Sequence, residues 1–370
     1  MKKAKHFNNG VLLLVATIFF ISCKKDNTGS NSTSPMQISA GASHSLIVKN
    51  DKTMWATGYN FYGQLGDGSN TNKNAAVKIA ENVRYISAGT LHSMFIKTDN
   101  SLWATGNNIQ GQFGDGSNVS KNIPVKIMDN VKSIKACFNY TLILKNDNTL
   151  WATGDNQYGQ LGDGTSTAHN TPVKIMDAVK DMAKGYYHTL ILKTDNSVWV
   201  SGVNGNGQYG NGTVTSGNTF TKIMDNAKQV AAGQFHSVIL KNDYTVWAAG
   251  YNGYGGLGDG TITERNTFVK VADGVTAISC GAFHTLILKS DKSVWATGYN
   301  VFGQLGDGTN TNKNSFTKIA DDAIAIDSYY YASFVIKSDN TIWGAGGNGL
   351  GQLGDGSNQD RNSLVKMYLP

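Results

Sequence analysis

The chain repeats itself every 48 residues, and no other property limits its fold so tightly. Its seven tryptophans, Trp55, Trp103, Trp151, Trp199, Trp247, Trp295 and Trp343, follow that step without insertion or deletion. Lys49 to Lys337, Asp51 to Asp339, Asn60 to Asn348 and Asn74 to Asn362 keep it through all seven copies. A constant period of this size marks a stacked or ringed array, in which each unit buries its apolar surface against its neighbours. Seven units account for residues 36–370, so the repeat overrides the two or three domains that 370 residues would otherwise suggest.

Each unit divides into short strands. In the first copy His44–Lys49 and Thr53–Thr57 read as the second and third strands and Ala76–Ile79 as the fourth; Val83–Ala88 opens the next unit. Leu46-Ile47-Val48, Leu142-Ile143-Leu144 and Leu286-Ile287-Leu288 are unbroken apolar runs, the mark of strands covered on both faces. Asn50-Asp51-Lys52 and its copies read as tight turns. The glycines around Gly63, Gly66 and Gly68 allow a long loop to fold back. No stretch has a helical period of useful length. The expected fold is all-β: a seven-bladed β-propeller of 48-residue four-stranded blades. An open solenoid would need polar capping units, and the end copies are ordinary. Because the last copy stops where a further first strand would begin, while Gln37–Ala40 supplies one at the other end, the amino-terminal strand is expected to complete the last blade.

Lys2, Lys3 and Lys5 precede an apolar run from Val11 to Ile21, too short to span a bilayer and typical of an export signal. Phe20-Ile21-Ser22-Cys23-Lys24-Lys25-Asp26 resembles the lipobox of bacterial lipoproteins. That resemblance implies a lipoprotein signal peptide over 1–22, acylation of Cys23, and a polar tether over 23–35 ahead of the propeller at 36–370. More than one acyl chain gives stable anchoring. The expected location is the cell envelope, on the outer membrane or cell surface of a Gram-negative bacterium. Cys137 and Cys280 lie three repeats apart, too far for a disulfide, and are expected to be free and buried.

Ala-Gly-x-x-His-Ser-Leu followed by Trp-Ala-Thr-Gly-x-Asn-x-x-Gly-Gln-Leu-Gly-Asp-Gly resembles the regulator of chromosome condensation repeat, from Ile38 to about Tyr368. The resemblance implies that family's seven-bladed propeller. Its eukaryotic founder is a nuclear guanine-nucleotide exchange factor that binds chromatin. The uniform step leaves no room here for the inserted wedge that serves exchange in that family, so exchange-like activity is the analogy's alternative rather than the first expectation.

The remaining motifs read as architecture. Gly63-Gln64-Leu65-Gly66-Asp67-Gly68 lacks the Lys-Ser or Lys-Thr of a phosphate loop and recurs in each blade. His44, His92, His188, His236 and His284 share one position; spread around a ring they cannot meet on one ion, and each is expected to bond its own blade's backbone. His169 reads as a lone loop residue. Lys78 and its six copies read as a solvated outer belt. Arg84, Arg265 and Arg361 fall in three different repeats, without the clustering of a nucleic-acid reader. No metal, cofactor or catalytic residue is expected.

Antiparallel meandering places the Ala-Gly-x-x-His turn and the long Gly-x-Asn loop at the same end of every blade. Their free positions carry Phe138, Tyr186, Tyr187, Phe235, Phe283, Tyr329, Tyr330 and Tyr331, together with Tyr59, Phe61, Tyr158, Tyr251 and Tyr299. Tyr62, Tyr254 and Phe302 add to them. Aromatic anchors gathered on one rim point to recognition. The function expected is a monomeric, non-enzymatic binding module that takes a protein partner on this face, with a glycan or small molecule as the alternative. An enzyme working in the central funnel would instead need clustered ionisable side chains.

Overall fold

The computed structural model describes residues 36–370; the expected signal segment, Cys23 and the tether lie outside the described residues. The described chain forms seven four-stranded antiparallel sheets and no helix. In the first blade β1 is Gln37–Ala40, β2 is His44–Val48, β3 is Met54–Gly58 and β4 is Lys73–Ala80, in the spatial order β1-β2-β3-β4. The fourth strand runs longer than its sequence pattern indicates, and its register against β3 shifts twice.

The first strand of each blade touches the first strands of both neighbours, and that of blade seven (Ala323–Tyr329) touches β1. The ring is therefore closed: a seven-bladed β-propeller with the first strands around its axis. Closure differs from the expectation. Gln37 to Ala40 pair with Val48 to Ser45 inside blade one, and blade seven has its own fourth strand, Arg361–Lys366. No strand is exchanged between the end blades. A first strand finds its nearest antiparallel partner across the short turn that follows it, so each blade is made from one continuous stretch of chain.

The apolar triplets explain how blades cohere. Leu46 and Val48 are buried with Val83, Ile86 and Phe95 of blade two. Ile47, between them, is buried with Phe334, Ile336 and Leu353 of blade seven. Successive strand residues face opposite sides, so an unbroken apolar run serves the cores on both flanks. Burying each such side chain contributes about 2 kcal/mol. Cys137 and Cys280 are buried and unpaired, as expected.

Glycine is obligatory within the loops. Gly63, Gly66 and Gly68 take φ of 78°, 80° and 81°, which glycine alone adopts freely. Asn60 holds the loop together, donating to Asp67 Oδ1 at 2.9 Å while its Oδ1 accepts from Leu65 N at 2.9 Å. Asp67 also accepts from the amide and hydroxyl of Ser69. His169 is not a loop residue: it begins the fourth strand of blade three (His169–Met176) and sits 2.7 Å from Asp163. Arg265 and Arg361 pair with Asp259 and Asp355 in the same way. Six of the seven belt lysines pair with exposed carboxylates three residues on, as Lys126 does with Asp129 at 2.9 Å; Lys366 has Leu369 at that place.

Candidate binding face

The amide of Tyr59, which opens the long loop, donates to the carbonyl of Ser43 in the Ala-Gly-x-x-His turn at 2.7 Å. The same bond recurs in all seven blades, down to Gly347 N with Tyr331 O at 2.9 Å. The two variable stretches thus lie at one end of every blade.

On that end the aromatic residues of blades three to seven form one connected net. Phe138 stacks on Tyr186 with centroids 4.7 Å apart, and Tyr186 lies 6.0 Å from both Tyr329 and Tyr330. Tyr187 joins Phe138, Tyr158 and Phe235. The line continues through Phe283, Tyr251, Tyr254 and Tyr299 to Tyr331 and Phe302. Offset and edge contacts of this kind each contribute about 1 kcal/mol beyond area burial. Tyr59 and Phe61 stand apart on blade one, packed with each other and Tyr62. Blade two has Asn107 and Ile109 where blade one has Tyr59 and Phe61, and Leu91 in its turn, so the aromatic surface is lopsided.

The rings differ in what they can touch. Tyr186 and Tyr329 are only 4% and 2% exposed and support the others from beneath. Phe138, Tyr187, Phe235, Phe283, Tyr251, Tyr299, Tyr330 and Tyr331 are half-buried, and Tyr158 and Phe61 are exposed. Burial pushes the hydroxyls of Tyr187, Tyr251, Tyr299 and Tyr331 above the usual phenol range, so they remain protonated donors at neutral pH.

Blade seven is built differently at this end. Its first hairpin closes tightly, with Tyr329 opposite Ala332 and a two-residue turn of Tyr330 and Tyr331. Tyr330 takes φ of 52°, which costs a tyrosine about 1–3 kcal/mol. Its carbonyl recovers a hydrogen bond from Ala282 N at 2.8 Å.

The histidines beneath this face do not bond their own blade's backbone. Nε2 of His44, His92, His188, His236 and His284 lies 2.9–3.1 Å from a hydroxyl of the next blade, from Ser93 round to Ser333. Ser93 Oγ already donates its one proton to Gln64 O at 2.6 Å, so the imidazole is the donor. Burial, foremost, holds these histidines down to about 3, and His236 to about 4. The ring occupies the space where a Cβ on Gly41 would stand, which is why Gly accompanies His in the motif. Blades three and seven replace both members together, with Cys137 and Tyr140, and with Tyr329 and Ala332. Tyr140 still crosses the seam, its hydroxyl 3.0 Å from Thr189 Oγ1. Among the described residues no three His, Cys, Asp or Glu side chains form a metal-binding group.

The sequence reading missed a charged cluster inside the axis. Lys135, Asp181, Lys184 and Asp327 all come from first strands, partly open to the channel but surrounded by protein. Lys184 Nζ donates to Ala88 O at 2.7 Å and Ala40 O at 3.1 Å, and lies 4.2 Å from the Tyr329 ring centre. Asp327 Oδ2 accepts from Ala40 N at 2.7 Å. Burial lowers the Lys184 ammonium to about 8 and raises the Asp181 and Asp327 carboxyls. The available signal was departure from the repeat: Asp327 and Lys135 stand where Ser39, Ser87 and Ser279 stand elsewhere, and Lys184 where Ala40 does. Lys184 and Asp327 bond backbone groups of other blades, which makes them ties across the axis.

Residues 129–369 match the RCC1-like domain, and residues 37–64 and 83–112 match the regulator of chromosome condensation (RCC1) repeat. The fold is similar to that of human WBSCR16, with a TM-score of 0.77 at 18% identity over 86% of this chain and 94% of that one. It is similar to yeast RCC1 (Prp20) bound to Kap60, with a TM-score of 0.77 at 17% identity over 95% and 91% of the two chains. A further structure of Prp20p from Saccharomyces cerevisiae, described with its binding to Gsp1p and histones, gives a TM-score of 0.75 at 18% identity over 91% and 87%. No curated protein sequence matches the chain. With the family model spanning well over half of its length, the chain belongs to the RCC1-like domain family.

Proposed function

We propose that this protein is a non-enzymatic recognition module that binds a protein partner through the aromatic face of blades three to seven. One observation carries the reading: the half-exposed rings form a single connected net, from Phe138 to Phe302, in the positions that the repeat leaves free. Rings already packed on one another lose little conformational entropy on binding and present a large rigid contact area. The related Prp20 structures, described with Kap60, Gsp1p and histones, support propeller surfaces of this family as protein-binding platforms. The axial Lys184 and Asp327 are engaged with backbone of other blades, which favours a scaffold over a catalyst. The lipobox-like Phe20-Ile21-Ser22-Cys23 segment supports display on the cell envelope through lipid on Cys23.

Affinity capture from envelope and extracellular fractions tests the face, using the chain and a variant with Tyr158, Tyr187, Tyr299 and Tyr331 changed to Ala. A partner held by the natural sequence and lost by the folded variant supports the placement; equal capture by both refutes it. Fractionation after Cys23→Ser tests the anchor, with release into the soluble fraction as the expected result.

A further inference from the structure

At the seam between blades seven and one, the loop face opens into a cleft of about 250 Å³. The cleft exists because side chains are missing. Where blade one carries Tyr59 and Phe61, blade seven carries Gly347 and Gly349. Neither glycine has a positive φ. A Cβ on Gly349 would meet nothing within 4 Å, and one on Gly347 nothing nearer than Gln352 Nε2 at 3.6 Å. The backbone does not require these glycines, yet they leave the cleft open.

Phe302, Tyr330 and Tyr331 form its apolar wall, and Ser43, Gln352 and Asp360 supply its polar groups. Gln352 is 8% exposed; its Oε1 accepts from Leu350 N at 3.2 Å. Its Nε2 has no partner among the described residues, and it is not sealed in as the same atom is in Gln64, Gln208 and Gln304. Asp360 Oδ1 accepts from Asn348 N at 2.7 Å, and no basic side chain among the described residues pairs with its carboxylate. An unused amide donor and an unused carboxylate oxygen therefore flank an aromatic surface.

We propose that this cleft is a subsite for one neutral pyranose ring, as a free sugar or the end of a glycan. The apolar C–H face of a pyranose lies flat on an aromatic wall, and its hydroxyls both donate and accept, matching Asp360, Gln352 and Ser43. The volume falls below the roughly 300–1,000 Å³ of a site for a drug-sized ligand, so it fits a single small ring rather than a chain segment. A quaternary ammonium is the other ligand that aromatic residues and a carboxylate attract. It needs rings held apart around it, whereas Tyr331 packs against Phe302 at 4.9 Å and against Tyr330 at 4.1 Å. The three rings make a wall and no cage. The inference goes beyond the protein-recognition reading and does not depend on it.

Saturation-transfer NMR and calorimetric titration of the full chain test it, with the methyl pyranosides of glucose, galactose, mannose and N-acetylglucosamine as probes. At least one is expected to bind, with saturation concentrated on one face of the ring. Gly349→Leu fills the cleft where a side chain meets no neighbour and is expected to weaken that binding at least tenfold. Asp360→Asn is expected to weaken it severalfold, and Phe61→Ala to leave it unchanged. A glycan ending in the preferred sugar, binding more tightly than the free glycoside, would assign the site to a glycan terminus; equal affinities would assign it to the free sugar. Failure of every pyranoside to bind, undiminished binding by folded Gly349→Leu, or displacement of the sugar by tetramethylammonium overturns the proposal.

Discussion

Six of the seven seams between blades are bridged by a buried histidine or tyrosine, and the seventh is not. From blade one to blade seven a histidine, or Tyr140 in blade three, reaches the hydroxyl of the next blade. At the closing seam the donor position holds Ala332, leaving Ser45 with only the Gln352 carbonyl at 2.7 Å. That seam has a different bond. Elsewhere Ser39, Ser87 and Ser279 accept the first-strand amide of the next blade through a hydroxyl; here Asp327 accepts the Ala40 amide through a carboxylate. Charge-assisted bonds are roughly twice as strong as neutral ones. The ring thus replaces one kind of tie with another where its two ends meet, and frees the space above for the Tyr329–Tyr331 hairpin.

Acid should break the bridged seams first and most. The five histidines are held neutral, with folded values near 3 or 4 against an unfolded value of 6.5. Unfolded histidines therefore bind protons that folded ones refuse, so the stability they contribute is present above pH 6.5 and lost as pH falls toward 3. At pH 5 each histidine costs up to about 2 kcal/mol, or about 10 kcal/mol for five. Circular dichroism against pH should show cooperative unfolding between pH 6.5 and 4; retention of the fold through pH 3.5 would contradict the depressed histidine values.

Steric substitutions come next. Gly281→Ala places a methyl on the His284 ring and should cost about 1–3 kcal/mol in urea denaturation. Ala332→His should cost a similar amount, because Tyr329 stands where the other blades keep glycine for the imidazole. Tyr140→Phe removes a buried hydroxyl that reaches Thr189 Oγ1, His188 O and Gly185 O, at about 1–2 kcal/mol. Asp327→Asn keeps the shape but removes the charge, and should cost about 1 kcal/mol. Hydrogen exchange should locate that loss at the Ala40 amide and spare the other first strands. The smallest effect belongs to the outer belt: Lys126→Ala breaks an exposed pair with Asp129 and should change stability by under about 0.5 kcal/mol.

Much of the architecture was legible in the chain because a repeat turns one local pattern into a global one. Leu46-Ile47-Val48 announces a strand covered on both faces, and the structure shows a core on each flank. The positive φ of Gly63 and Gly66 follows from the loop in which they recur. The aromatic positions were legible as a face, but their depth was not: Tyr186 and Tyr329 are neighbours of Tyr187 and Tyr330 in sequence, yet only the inner pair is buried. The partner of His44 escaped prediction because Ser93 belongs to the next copy, 49 residues on. The axial Lys184 and Asp327 belong to blades four and seven and meet at the same residue, Ala40, one at its carbonyl and the other at its amide.

The sequence by itself determined the number of blades, the strands within each and the shared end of their variable loops, since these depend on period, turn chemistry and alternation within a single copy. Tertiary structure alone decided how the ring closes, which rings sink beneath the others, and where the axial charges meet. Those outcomes depend on contacts between copies, and the curvature that brings blade seven against blade one is set by packing summed around the whole ring.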